Sequence, residues 1–275
     1  MHPLNWHCHD LFHRIPPGAV AGGIVVVIDV LRASTTIISA LAHGAAGVRP
    51  VLTVEVARAL AASGGPDSTM LLGGERGGMR IDGFDLGNSP LEYVPARVAG
   101  RQIVITTTNG TAALDACGSA AEVLIGGIVN RTAVATRARS LAMVHGTPNI
   151  HLVCAGTDGQ VTEEDILAAG GILDAASRQP GSDRDTLDAS ALVAREAFRG
   201  VLATAADADA DATLAIAAAF ALSRGGRNLI ELGMHADLPA AAAIDSLPVV
   251  PRLARARGPE DAEAGWLLPD AADHA

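Results

Sequence analysis

The 275-residue sequence contains no lysine, so all 20 of its basic side chains are arginines. Any side-chain clamp for an anion is therefore a planar guanidinium fork, with backbone amides as the remaining donors. Aromatic residues are also scarce, at 3% of the chain against 49% hydrophobic residues overall. The core must be built from Ala, Val, Leu and Ile, packed by close approach rather than around large rings. Three cysteines, Cys8, Cys117 and Cys154, are odd in number and lack C-x-x-C spacing, which argues for neither a disulfide framework nor a zinc ribbon. Positive charge is in deficit: the formal net charge is −10 and the pI about 5.3. That balance argues against a nucleic-acid surface or an anionic membrane as partner. No apolar run reaches the length of a membrane span, and the opening M-H-P-L-N-W-H-C-H-D lacks a charged-then-apolar signal pattern. A soluble, cytoplasmic protein is expected.

What is present is organised around residues 24–36, I-V-V-V-I-D-V-L-R-A-S-T-T. Five β-branched apolar residues in a row predict a strand buried on both faces, as in a parallel sheet covered by helices. Asp29, Arg32, Ser34, Thr35 and Thr36 follow, and then Ile37, Ile38, Leu41 and Ala42 at helical spacing, closed by Gly44. Strand, polar turn and helix place a carboxylate at the carboxyl edge of a sheet, where hydroxyls and the amides of a helix N-terminus can face an anion. Further strands are predicted at 48–52, 69–72, 101–105, 122–125 and 149–153, with helices at 54–62, 90–98, 112–117 and from Asn130 or Thr132 to Met143. Gly64-Gly65-Pro66 breaks the first of these helices. T-T-T-N-G-T at 106–111 repeats the opening pattern of strand, hydroxyl cluster and helix, and G-A-A-G-V at 44–48 is echoed by G-S-A-A-E-V at 118–123. The expected fold is a three-layer α/β/α arrangement with a mainly parallel or mixed sheet, in which two similar βα halves are an open possibility.

The rest of the chain is less regular. Residues 1–19 carry His2, His7, Cys8, His9 and His13, readable as a metal site or as a loosely ordered arm. Residues 186–223 are mostly helical and Ala-rich, interrupted by A-D-A-D-A-D-A with Asp207, Asp209 and Asp211. G-G-R-N-L-I-E-L-G at 225–233 predicts a short helix with a glycine stop, and Val249-Val250-Pro251 a last edge strand. The tail at 257–275 is expected to be disordered, which leaves 20–256 as the α/β domain, single or in two subdomains. An Ala-rich helical face in the C-terminal half could join two copies as a dimer.

Four strand ends deliver polar groups: Asp29 with Arg32 and Ser34, Glu75 with Arg76, residues 106–111, and residues 157–165. The glycine-rich stretch 73–90, G-G-E-R-G-G-M-R-I-D-G-F-D-L-G-N-S-P, is too long for an idle connection in a compact domain. Asp85 and Asn88 within it are expected to shape the loop or complete a site. No G-x-S-x-G elbow, Walker lysine motif or G-x-G-x-x-G turn follows the first strand, so serine-hydrolase, P-loop and dinucleotide folds are poor fits. Acids without a Cys or His triad suggest a hard cation such as Mg²⁺, which shares oxygens between one or two carboxylates and a phosphate. Thr162 followed by Asp165 fits a helix-capping pattern, which competes with a site role for Asp165.

V-V-I-D-V-L-R-A-S-T-T-I, the 73–90 stretch, T-T-T-N-G-T, A-G-T-D-G-Q-V-T-E-E-D-I-L-A-A-G and G-R-N-L-I-E-L-G resemble, in order, the signature blocks of the 2-phosphosulfolactate phosphatase family, across roughly residues 20–252. The resemblance implies a Mg²⁺-dependent phosphohydrolase that cleaves (2R)-2-phospho-3-sulfolactate to sulfolactate and phosphate, a step towards coenzyme M. On that reading Asp29 is a Mg²⁺ ligand or a nucleophile, Glu75 a second ligand or general base, and Asp165 a third ligand. Arg32, Ser34, Thr35 and Thr36, with Thr107, Asn109, Gly110 and Thr111, would cradle the phosphate. Arg76 and Arg131 would hold the sulfonate and carboxylate of the small anionic substrate. Two other readings are a phosphatase of other small 2-phosphohydroxy acids and a non-catalytic phosphate-ester binding protein on the same scaffold.

Overall fold

The computed structural model describes residues 3–63, 70–208, 210–255 and 264–270. In chain order the elements are β1 (Asn5–His9), β2 (Ile24–Ile28), α1 (Ala33–Ala42), β3 (Gly47–Pro50), α2 (Val54–Ser63), β4 (Leu71–Arg76), β5 (Met79–Arg80), α3 (Pro95–Val98), β6 (Gln102–Thr106), α4 (Gly110–Ala116) and β7 (Glu122–Ile125). Then come α5 (Arg131–His145), β8 (Asn149–Cys154), α6 (Glu163–Ser177), β9 (Thr186–Leu187), α7 (Ala189–Asp207), α8 (Ala212–Leu222), α9 (Arg224–Glu231), α10 (Asp237–Ala242), β10 (Pro251–Leu253) and β11 (Leu267–Pro269). His2, the expected break at Gly64-Gly65-Pro66, the strand start at residue 69, Asp209, residue 256, and residues 257–263 and 271–275 of the expected tail lie outside the described residues. No described helix is long and apolar enough to cross a membrane.

The strands form one mixed sheet in the order β5-β4-β6-β3-β11-β10-β7-β2-β8-β1-β9. Two blocks are internally parallel, β4-β6-β3 and β7-β2-β8-β1-β9, and the antiparallel hairpin β10–β11 joins them. The middle eight strands are a palindrome in topology. The run β2-α1-β3-α2-β4 is matched by β6-α4-β7-α5-β8. In each run the first strand lies between the second and last strands of the other run: β2 between β7 and β8, β6 between β3 and β4. The echo in the sequence thus corresponds to two βα halves that exchange strands across the β10–β11 seam.

Burial follows the pleat. All five residues of β2 are at most 1% exposed, as the unbroken β-branched run predicts. Ile24, Val26 and Ile28 face a core with α5, α6, α7 and α8, while Val25 and Val27 face a second core with α1 and α4. In β6, Ile103 and Ile105 join that same second core, and Val104 on the opposite face packs with Ala57 of α2. Helices α1 and α4 therefore lie on one face of the sheet, and α2 and α5–α8 on the other. A flat sheet would set β2 and β4 six interstrand steps apart, roughly 29 Å. Instead Val27, Ile105 and Ile125 of β2, β6 and β7 line one small cavity with Ile37 and Leu114 of α1 and α4. The sheet wraps around these two helices and brings the carboxyl ends of its halves together.

Three expectations at the margins change. The first residues are not simply an arm: β1 pairs in parallel with both β8 and β9, because Trp6 and Cys8 alternate into the core. Its outward histidines pack on the sheet, with His9 Nε2 3.1 Å from His151 Nδ1 and His7 Nδ1 3.4 Å from Asp188. Among the described residues no group of three or more His, Cys, Asp or Glu could hold a metal ion. β10 is not an edge strand. Pro251 is tolerated inside the sheet because it is the first residue of its strand, and β7 is paired through Arg252. The tail contributes β11, whose Leu267 is fully buried between β10 and β3.

Candidate active site

Asp29 is the first residue after β2, and its own backbone is held before it meets any ligand. Its N–H donates to Ser34 Oγ at 2.8 Å, and its Oδ1 accepts the Ala33 N–H at 3.2 Å. Thr35 Oγ1 donates to Val30 O at 2.8 Å and Thr36 Oγ1 to Asn88 O at 2.7 Å. In the matching half, Thr111 Oγ1 donates to Thr107 O at 3.0 Å, and Thr107 Oγ1 accepts the Thr111 N–H at 3.4 Å. None of these five hydroxyl residues is more than 5% exposed. The expected hydroxyl cradle is thus internal bracing: Ser and Thr beside a helix start serve nearby backbone groups. Gly110 has a different reason to be what it is. A Cβ there would come 2.7 Å from Ala33 Cβ and 2.8 Å from Asp29 Oδ2, so glycine lets the starts of α1 and α4 meet beside the carboxylate.

Above this meeting point lies a cleft of about 320 Å³. Asp29, Arg32, Glu75, Asn88 and Asn109 line it, together with Thr108, the Gly77-Gly78 turn, Thr157 and Asp158, and the Asn228, Leu229, Glu231 and Leu232 side of α9. Asp29 and Glu75, 46 positions apart in sequence, share this cleft because the sheet wraps. Glu75 Oε1 accepts from the Thr108 N–H at 2.8 Å and the Thr108 hydroxyl at 3.0 Å, and its Oε2 from the Gly78 N–H at 2.8 Å. Arg32 is 4% exposed and already engaged, by Asp237 Oδ2 at 2.9 Å, Met234 Sδ at 2.7 Å and Gly78 O at 2.6 Å.

Three expected residues stand elsewhere. Asp165 gives one oxygen to the Val30 N–H at 2.8 Å and the other to the Gly156 N–H at 2.9 Å. It ties the turn after β2 to the turn after β8, and is neither a lining residue nor a bond partner of Thr162. Arg76 donates to Glu75 O and Thr106 Oγ1, away from the cleft lining. Arg131 opens α5 and is held by Asp245 at 3.2 Å and Asp174 at 3.4 Å, with Phe198 under its guanidinium. Conversely, sequence reasoning gives no site role to Thr108, Asp158, Asn228 or Glu231, although the first two fall within its polar strand ends. The signal for the last two is present: Asn228, Glu231 and Leu232 share one face of a helix by their spacing of three and four. For Asp237, 205 residues from its partner Arg32, no local signal exists.

The electrostatics are one-sided. Burial, the largest cause, pushes the Asp29 carboxyl up to about 7. The Ala33 N–H opposes this, and the charges of Glu75 and Glu164 add to it. Asp165 is raised well above the usual carboxylate range by burial and then by Asp29 and Glu164, and Glu164 is raised by its own burial. Of the lining side chains Asp29, Glu75, Asp158 and Glu231 are acidic and only Arg32 is basic. Asp158 pairs with Arg224, and Arg32 is matched by Asp237, so the cleft retains excess negative charge. Asn88 Oδ1 is buried without a hydrogen-bond partner among the described residues. Two carboxylates and an unpaired amide oxygen are hard donors of the kind Mg²⁺ takes when water and ligand oxygens complete its shell. The donor set fits that ion.

The chain matches the family model described as 2-phosphosulpholactate phosphatase over residues 10–256. It is 43% identical over 241 residues to a probable 2-phosphosulfolactate phosphatase of Symbiobacterium thermophilum, covering 86% of this chain and 94% of that protein. A protein of the same description from Synechococcus sp. (strain RCC307) is 41% identical, covering 86% and 91% of the two chains. Another, from Caldanaerobacter subterraneus subsp. tengcongensis, is 37% identical, covering 83% and 87%. With the match running through every element that builds the cleft, the chain belongs to the 2-phosphosulfolactate phosphatase family.

Proposed function

We propose that the chain is a Mg²⁺-dependent phosphatase that hydrolyses (2R)-2-phospho-3-sulfolactate to (2R)-3-sulfolactate and phosphate, the kind of step that leads towards coenzyme M, in the cytoplasm. The observation that carries this reading is the meeting of Asp29 and Glu75 in one cleft with excess negative charge. Such a cleft repels a phosphate ester unless a divalent ion is shared between them. Asp29 and Glu75 would hold the ion, with Asn88 Oδ1 available beside them. The ion supplies charge neutralisation at the phosphoryl oxygens.

The chain's own residues do the rest. Thr108 and Gly78 fix both oxygens of Glu75, so its carboxylate presents one orientation. The Ala33 N–H does the same for Asp29 Oδ1 and leaves Oδ2 for the ion or for in-line attack. Arg32, pinned by Asp237 and Gly78, offers a fixed positive charge that cannot swing away. Leu31, Leu229 and Leu232 supply the apolar part of the wall and limit water around the ester.

The test is phosphate release from phosphosulfolactate with and without a chelator. Turnover that survives complete chelation would remove the metal from the proposal. One observation favours a broader substrate range: Arg76 and Arg131, expected to hold the sulfonate and carboxylate, do not line the cleft. A phosphatase acting also on phospholactate or phosphoglycolate follows from that, and a panel of these esters ranked by kcat/KM decides between the two.

A further inference from the structure

α9 carries one wall of the cleft, and its N-terminus is held from outside the cleft. Ser223 Oγ accepts the Gly226 N–H at 3.1 Å. The carboxylate of Glu164, in the first turn of α6, lies against the preceding residue, Gly225. A carboxylate at a helix start complements the helix dipole. Glu164 is 2% exposed, and its Oε2 has no hydrogen-bond partner among the described residues. Its Oε1 lies so close over Gly225 that a Cβ there would overlap it. Glycine at 225 is the room that Glu164 occupies.

Gly225 itself lines the cleft, and the other end of α9 meets the turn that holds two of its side chains. A Cβ on Gly78 would overlap Leu232 Cδ1, so Leu232 rests directly on the turn between β4 and β5. That turn holds two cleft residues: the Gly78 N–H binds Glu75 Oε2, and Gly78 O accepts from Arg32 Nη2. Glu164 thus stands at one end of an eight-residue helix whose far end abuts the backbone that fixes Glu75 and Arg32. Burying a carboxylate with one oxygen unpaired is a costly way to stabilise a fold, and an apolar residue would serve stability better.

We propose that Glu164 is a positioning residue, anchoring α9 so that Leu232 and the Gly78 turn hold Glu75 and Arg32 in place. This rests on the reading of the cleft as a phosphatase site. The experiment compares Glu164→Ala and Glu164→Gln with Asp211→Ala, which removes the N-cap of α8 and touches no cleft residue. Hydrogen exchange and steady-state kinetics are measured on the full chain. Glu164→Ala should speed amide exchange at residues 75–78 as well as 225–232, and raise KM about tenfold with kcat within about threefold. Glu164→Gln, which keeps an oxygen and the same bulk against Gly225, should recover most of both. Leu232→Ala should raise KM similarly, and the double variant should fall well short of the product of the two effects. If Glu164→Ala behaves like Asp211→Ala, with lower Tm but unchanged exchange at 75–78 and unchanged KM, the proposal is wrong. Should the wild type release phosphate from no ester, the phosphatase reading fails separately, and exchange at 75–78 still decides the role of Glu164.

Discussion

At the scale of single residues, the role proposed for Asp29 sets chemistry against stability. Replacing it by Asn should lower Mg²⁺-dependent phosphate release by at least ~100-fold, measured as kcat/KM. The same substitution should stabilise the metal-free protein. Because burial raises the folded-state carboxyl to about 7 from an unfolded value of 3.8, the folded form holds a proton that the unfolded form has lost between those values. Stability from this group is present below about pH 4, falls as pH rises towards 7, and stays lost above it. Glu164 and Asp165 are raised too and act in the same direction. Thermal melts without metal should therefore show the Asp29→Asn variant gaining on wild type by up to about 4 kcal/mol at pH 8, and little at pH 4. A pH-independent difference would contradict the burial argument. Ser34 makes the opposite case. Its hydroxyl binds backbone rather than ligand, so Ser34→Ala should cost about 1–2 kcal/mol in denaturant melts and leave KM within about twofold.

At the scale of elements, what is legible in the sequence depends on how local the cause is. The strand at 24–28 is readable because burial on both faces leaves an unbroken β-branched run. The helix at 225–233 is readable because its N-cap and its stop at Gly233, at φ +74°, are local. Asp29 and Glu75 stand out because each lies at the end of a strand. The hydroxyls mislead for a physical reason: a Ser or Thr at a strand–helix turn looks the same whether it binds a ligand or its own backbone. Arg76, Arg131 and Asp165 are misplaced by sequence alone because partners such as Thr106, Asp174 and Val30 lie on other elements. β1 escapes notice since alternation in N-W-H-C-H is masked by histidines that count as polar yet pack on the sheet. Contact between elements also gives a sharp test at Gly110. Gly110→Ala would press a methyl on Ala33 and Asp29, so activity should fall more than tenfold while the helical circular dichroism signal is retained.

At the scale of the whole molecule, the two exchanged halves explain why distant turns share one rim. Each half lends its first strand to the other, so neither can bury its own sheet without its counterpart. The seam is narrow: β10 meets β7 through the single register pair Arg252–Leu124, and β11 meets β3 through Leu267–Val48. Leu267, at 0% exposure, is its apolar plug. Leu267→Ala should cost about 2–4 kcal/mol by chemical denaturation. The loss should appear as a drop in midpoint with both halves melting together, because the core around α1 and α4 spans them. Two separate transitions would show that the halves are independent.

The β10–β11 hairpin has one more consequence. Both of its strands are synthesised after every strand of the two blocks they connect. Until then, a growing chain exposes β3 and β7 as bare edges, each with unsatisfied amides and a neighbour of the right geometry on another nascent chain. The stapling segment therefore acts as a guard against mispairing between molecules, and its removal would be felt in yield of soluble protein before it was felt in catalysis.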